Sequence, residues 1–207
     1  MELIELKNAE PRFSGGENLV YSYPGKDHLL IKIIRPEWVE ANLIKSPIIF
    51  RLVRLPKYWG VLNELIEYLA IYETKEPEAK YIETIVGLVT TDIGLGLAVE
   101  AVFHELGTVA KSLEVIITEN KFTDQHKSEL EKLFEWMIDT HIIIRDFTLN
   151  NLVWDGVNQH FVIIDGIGSK PLWSLRSISK VYNQRGNRKR VAKFRKRLAI
   201  RLAKERH

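Results

Sequence analysis

Three polar residues within one segment have the types and spacing to do chemistry. In IIIRDFTLNNLVWDGVNQHFVIIDGIGSK, Asp146 closes one apolar run, Asn151 opens the next and Asp165 closes a third. A short apolar run is expected to bury its backbone as a strand, so that a polar residue at its end projects from the rim of a sheet. Asp146, Asn151 and Asp165 are therefore expected to converge on one rim. The side-chain oxygens of Asn151 and Asp165 suit a hard cation such as Mg2+, which takes oxygen ligands and keeps several waters. Asp146 would then orient or deprotonate a hydroxyl group. Gly166 and Gly168, just beyond Asp165, allow the backbone to turn sharply beside a ligand.

These residues need a scaffold, and the hydrophobic patterning describes one. ELIEL (2–6), LVYSY (19–23) and HLLIKII (28–34) read as strands, separated by the turn-rich FSGGEN (13–18) and by Pro24-Gly25-Lys26-Asp27. Between Tyr58 and Tyr72, Leu62, Leu65, Ile66 and Leu69 recur at helical spacing. ETIVGLVTTDIGLGLAVEAVF (83–103) holds two β-rich runs around Thr91-Asp92-Ile93-Gly94, the pattern of a hairpin served by Gly94 and Gly96. Val109 to Ile117 is expected to be a short helix. Residues 123–140 predict an amphipathic one, with Thr123 as N-cap and Leu130, Leu133, Phe134, Met137 and Ile138 on one face. His141 then falls at a helix end, where its charge would favour the dipole. IIIRD (142–146), NLVW (151–154) and FVIID (161–165) follow as three short strands. Strands, then helices, then short strands predict an α+β chain with two lobes.

Composition narrows the classes. At 207 residues and 45% hydrophobic, the chain has enough apolar material for one domain or two small lobes. With no Cys, a disulfide framework, Cys-ligated zinc and a Cys nucleophile are excluded. No apolar stretch approaches the roughly 18 residues of a membrane span, and MELIELKNAEPRF lacks the pattern of a signal peptide, so a cytoplasmic location is expected. The net charge of +3 conceals a polarity. Residues 185–207 carry eleven Lys or Arg against Glu205 alone, a local +10, while the other 184 residues hold 19 bases and 26 acids, or −7. From Arg188 to Arg206, Val191, Phe194, Leu198 and Leu202 fall at 3/4 spacing among the basic residues. This basic amphipathic helix is expected to dock its apolar stripe and turn its charge outward. Binding RNA, lying on anionic lipid or recruiting an acidic protein are the alternatives.

The order R-D-x-x-x-x-N followed, fourteen residues after the Asn, by Asp-Gly resembles the catalytic and metal-binding loops of protein kinases. More narrowly, NELIEYLAIYE, GLVTTDIGLGLAVEAV, RDFTLNNLVW and VIIDGIG resemble the bacterial YrbL family, named for a PhoP regulatory network. The resemblance implies a bilobal protein-kinase-like fold with an antiparallel N-lobe sheet and a reduced, mainly helical C-lobe. Its lobes would span 1–102 and 103–184, with 185–207 as the basic C-terminal helix. It also implies ATP and Mg2+ as cofactors. Ser14, Gly15, Gly16 and Asn18 would belong to the loop covering the phosphates. Lys32, inside LLIKII, would contact them and be paired by Glu64, with Glu67 one turn later as the other candidate. Glu100 and Val102 would flank the adenine through backbone groups. Asn151 and Asp165 would hold the metal, and Asp146 would act on the acceptor.

The sequence departs from the kinase pattern at several positions. Ile144 stands where many kinases have His, Thr148 where protein kinases usually have Lys, and Gly166 where a Phe packs under the metal loop. The adjacent glycines of SGGEN replace the spaced G-x-G-x-x-G, and no A-P-E segment follows Asp165-Gly166. These departures weigh against a protein substrate and leave a small molecule, or another hydroxyl acceptor not yet identified, as the expected phosphoryl acceptor. The competing expectation is a non-catalytic kinase-like regulator whose basic helix binds nucleic acid or an acidic protein.

Overall fold

Alternating β-branched runs separated by Gly-containing turns build the first unit of the chain. The computed structural model describes residues 3–38, 58–74, 79–104, 107–168 and 179–205. They divide into two compact units, Met1–Leu62 with Thr84–Ala101, and Asn63–Glu83 with Val102–His207. In the first unit, strands β1 (Phe13–Ser14), β2 (Asn18–Ser22), β3 (Leu29–Ile34), β4 (Ile85–Thr91) and β5 (Gly94–Glu100) form an antiparallel sheet in the order β1-β2-β3-β5-β4. β3 lies at its centre, with Lys32 opposite Val20 on one side and Leu97 on the other.

Two details of this sheet differ from the sequence reading. Among the described residues of ELIEL no strand forms, and Ile4 makes one bridge, to Thr91. The backbone N–H groups of Leu6 and Lys7 are instead taken by the Asp92 carboxylate at 2.7 and 3.0 Å. Those N–H groups, Leu6 foremost, hold the Asp92 pKa below the usual carboxylate range. Gly96 does not serve the turn. A side chain there would meet Ile31 at 2.6 Å and Ile33 at 2.7 Å, so its role is to admit β3 residues against β5.

The boundary between the units falls inside helix α1 (Trp59–Thr74). The helix is where the spacing predicts it, but its buried face is not the apolar one. Asn63, Glu64, Glu67 and Ile71 are buried, whereas Ile66 and Leu69 are exposed. Part of that polar face has a partner inside, where Glu67 Oε1 accepts the backbone N–H of Ile143.

In the second unit, α2 (Leu113–Thr118), α3 (Asp124–Asp139), the hairpin of β6 (Leu152–Asp155) and β7 (His160–Ile163), and α4 (Lys180–Glu205) enclose the larger core. The predicted face of α3 supplies Leu130, Leu133, Phe134 and Met137 to it, joined by Trp136. α4 adds Val191 and Phe194 as fully buried members, with Leu198 and Leu202 packed alongside. The apolar stripe of the basic helix is thus consumed by the core of this unit. IIIRD does not form a strand; between Ile142 and Asp146 the chain makes one bridge, Ile144 to Ile167. Among the described residues no helix is long and apolar enough to cross a membrane.

The N-terminus of α3 carries a titratable cap. His126 Nδ1 accepts the N–H of Thr123 at 3.1 Å, while the Thr123 hydroxyl accepts the His126 N–H in return. The imidazole also lies 4.5 Å from the Trp154 ring, edge to face. Burial pushes the His126 pKa down, so the neutral ring is favoured in the folded protein. The stabilisation is therefore complete above the unfolded pKa of about 6.5 and is lost as pH falls from there through the lower folded value. Thermal unfolding measured from pH 7.5 to 5 is expected to show a fall in Tm that is smaller in His126→Gln, since Gln can occupy the same cap without titrating.

Candidate functional site

A tight knot of backbone bonds brings the loop after α3 against the turn after β7. α3 closes with the Thr140 N–H donating to Trp136 O at 2.8 Å, and the chain then runs extended toward Asp146. The N–H groups of Arg145 and Asp146 both reach Gly166 O, at 2.7 and 3.1 Å. Two residues on, the Gly168 N–H donates to Ile143 O at 2.7 Å. This arrangement requires glycine. Gly166 has φ +80°, and a Cβ there would stand 2.6 Å from Asp146 O; Gly168 has φ +87°, and a Cβ there would stand 2.7 Å from Asn63 O.

The same knot sets the three polar side chains. Asn151 donates from Nδ2 to Asp146 O at 3.0 Å and, more weakly, to Asp146 Oδ2 at 3.4 Å. Its backbone carbonyl takes the N–H of Ile164 at 3.0 Å, which puts Asn151 beside the residue preceding Asp165. Asp165 accepts the Gly166 N–H on Oδ1 at 2.6 Å. Asp146 is exposed, and Asn151 and Asp165 are half-buried. Because Asn151 spends its amide N–H groups on Asp146, its oxygen is the atom it can offer a ligand. That oxygen and the second oxygen of Asp165 are both of the hard type that divalent cations such as Mg2+ take. Among the described residues no group of three or more His, Cys, Asp or Glu side chains gathers. A cation at this pair would depend on waters or a bound anion to complete its shell.

What steadies the loop lies in the basic helix, and sequence reasoning missed it. Asn183 and Asn187 of α4 are fully buried. Asn183 Nδ2 donates to the carbonyls of His141 and Ile142 at 2.8 and 3.0 Å and lies 3.3 Å from that of Thr140. Asn187 Nδ2 donates to Met137 O at 2.7 Å. One turn later, Arg190 Nε donates to Arg145 O at 3.2 Å; burial pushes its guanidinium pKa down from the ordinary value. Phe147, next to Asp146, is pinned between Phe194 at 4.4 Å and Phe134 at 6.1 Å. The available signal was the continuation of the 191–194–198–202 stripe back through 187 and 183 at four-residue steps, but with amides in place of apolar groups.

Of the remaining candidates, Ser14, Gly15, Gly16, Asn18, Lys32 and Glu100 belong to the first unit, and Glu64 and Val102 to the second. Lys32 is 9% exposed at the middle of β3. Ser14 ends β1, and Gly15 and Gly16 open the turn to β2, all three exposed, with the Gly15 N–H donating to Asn18 O at 2.9 Å. Ser14 Oγ accepts from Arg35. Nothing lies within 4 Å of a Cβ placed on Gly16, so the fold itself does not demand glycine there. Glu100, at the end of β5, is exposed and its N–H donates to Thr84 O at 2.9 Å. Val102 belongs to the second unit, where its carbonyl accepts the N–H of Ala110 at 2.8 Å.

Compared with known protein families, residues 4–199 match the family described as PhoP regulatory network protein YrbL. No curated protein matches the chain.

Removing the Asn183 amide would strand buried carbonyls at the start of the loop. Asn183→Ala is expected to lower unfolding free energy by about 1–3 kcal/mol. Arg185→Ala, at an exposed position two residues on, should stay within about 0.5 kcal/mol. Urea denaturation of the two variants beside wild type measures the difference, and equal midpoints for Asn183→Ala and wild type would remove the clamp from this account.

Proposed function

The chain belongs to the YrbL family of PhoP regulatory network proteins, and we propose that it acts as an ATP- and Mg2+-dependent phosphotransferase with a bilobal protein-kinase-like fold, transferring phosphate to a small hydroxyl-bearing molecule. The observation that carries this reading is the knot joining Asp146, Asn151 and the Gly166 turn. It sets an exposed carboxylate beside an oxygen donor pair, the combination that phosphoryl transfer needs for acceptor and metal. Asn151 and Asp165 would hold Mg2+, which would supply neutralisation of charge on the phosphate oxygens.

The other roles follow from burial. Lys32 contacts the phosphates; a buried ammonium in an apolar strand is costly without an anionic partner. Glu64 is assigned to hold it, since an oxygen of Glu67 is already taken by the Ile143 N–H. Ser14, Gly15, Gly16 and Asn18 cover the phosphates, and the open space at Gly16 supports close approach of a ligand to the backbone. Backbone groups near Glu100 and Val102 receive the adenine. Asp146 accepts the proton of the acceptor hydroxyl as its oxygen bonds to the γ-phosphorus and the bond to the β–γ bridging oxygen breaks. Thr148 and Gly166, in place of Lys and Phe, favour a small acceptor over a protein. A cytoplasmic location belongs to the same proposal.

Mg2+ with ATP is expected to raise the Tm of the wild-type protein and to leave Asp165→Ala unchanged. Asp146→Asn should keep that shift while losing about 10²–10⁴-fold in phosphate release or autophosphorylation. No Mg-ATP-dependent shift in wild type sinks the nucleotide reading. Equal turnover in wild type and Asp146→Asn sinks the role of Asp146.

A further inference from the structure

The eleven Lys and Arg residues of α4 separate into two groups by what they touch. Arg190, Arg195 and Arg201 have partners within the unit: the carbonyls of Arg145 and Gly186, Glu131 at the surface, and Glu114 with Glu205. Lys180 stands 4.0 Å from Asp139. The other seven, Arg185, Arg188, Lys189, Lys193, Lys196, Arg197 and Lys204, are all exposed, and none has an ion-pair partner among the described residues. No acidic residue interrupts the sequence from Lys180 to Lys204.

Helical geometry orders these charges. At about 100° per residue, Arg185, Lys189 and Lys196 fall within about 40° of one another, on the side opposite the buried Asn183–Leu202 stripe. Arg188 flanks them on one side; Lys193, Arg197 and Lys204 flank them on the other. The exposed Ala192, Ala199 and Ala203 lie between and keep the ridge low. From Arg185 to Lys204 the face extends about 28 Å, well beyond the Debye length of about 8–10 Å over which a single small anion would be felt.

We propose that this outer face of α4 binds the phosphate backbone of double-stranded DNA. The major groove of B-DNA, about 12 Å wide, admits a helix, with basic residues on both flanks facing the two rows of phosphates. A lipid surface suits the face poorly because the apolar stripe an interfacial helix would insert is already buried in the core. An acidic protein partner would need anchors seated in desolvated pockets, and the large apolar side chains exposed on α4 are Val181, Tyr182 and Ile200. A single strand is held largely by base stacking on aromatic residues, of which this face offers Tyr182. The inference stands apart from phosphoryl transfer, which uses none of these side chains.

The test is fluorescence anisotropy of the full chain with a 20-base-pair DNA duplex, a 20-nucleotide single strand and poly-glutamate, each titrated across salt. The duplex is expected to bind tightest, with log K falling against log salt at a slope of about −4.5 to −6.3, as five to seven neutralised phosphates at about 0.9 each require. Lys189→Glu with Lys196→Glu should weaken duplex binding at least tenfold. Arg185→Gln, Lys189→Gln and Lys196→Gln together should do the same without charge reversal, and Asp146→Asn should bind as wild type. The proposal is overturned by no duplex binding at 50 mM salt, by poly-glutamate or single strand binding as tightly as duplex, or by duplex affinity unchanged in both charge variants.

Discussion

Backbone carbonyls at the end of a helix have no partner within it, and burying them costs free energy unless something outside supplies N–H groups. The stretch from Met137 to Ile142 meets that constraint as α3 gives way to the loop that carries Asp146. The loop is too short of strand partners to pair its own backbone, making a single bridge at Ile144. Asn183 and Asn187, about forty residues later in the chain, reach into the core and satisfy the carbonyls with side-chain amides. The position of Asp146 therefore depends on α4 docking, and α4 docks because Val191, Phe194, Leu198 and Leu202 complete the core of its unit. Hydrophobic burial supplies the force, and the two amides convert it into a fixed loop.

A second constraint acts from the opposite side of the loop. Gly166 gives its carbonyl to two consecutive N–H groups and approaches Asp146 too closely for any side chain. Held by amides on one flank and by a glycine turn on the other, residues 142–146 need no sheet to be ordered. Ion pairs at the surface of the second unit contribute less. Lys111 and Lys121, for instance, hold the exposed Glu119 carboxylate at a pKa of about 2, an arrangement that stabilises little because solvent screens it.

Local periodicity made the local elements legible. The hairpins of the first unit, α1 and α3, and the stripe of α4 all announce themselves through residues within a few positions of one another, as Thr123 and Leu130 through Met137 do for α3. The polar ends of apolar runs likewise marked out Asp146, Asn151 and Asp165, two of which share a hydrogen bond. What could not be read was anything decided by a distant partner. IIIRD has strand composition, yet its neighbours are a glycine turn and two asparagines, so no ladder forms. α1 turns Glu64 and Glu67 inward and leaves Leu69 in water because its inward partners are polar, and such partners leave no trace in a hydrophobic pattern. Asn183 and Asn187 look like solvated residues at the head of a basic helix until the carbonyls they face are known.

α4 is one rigid rod on which three tasks are phased. Its amides face the loop, its apolar residues face the core, and its unpaired charges face outward, each set placed by an advance of about 100° and 1.5 Å per residue. Adding or deleting one residue between Asn187 and Val191 would swing the amides about a quarter turn away from the carbonyls they serve while the stripe stayed seated. Exchanges of one exposed basic residue for another leave that phasing intact. The helix is therefore expected to exchange Lys for Arg on its outer face across relatives while holding its length between Asn183 and Leu202 unchanged.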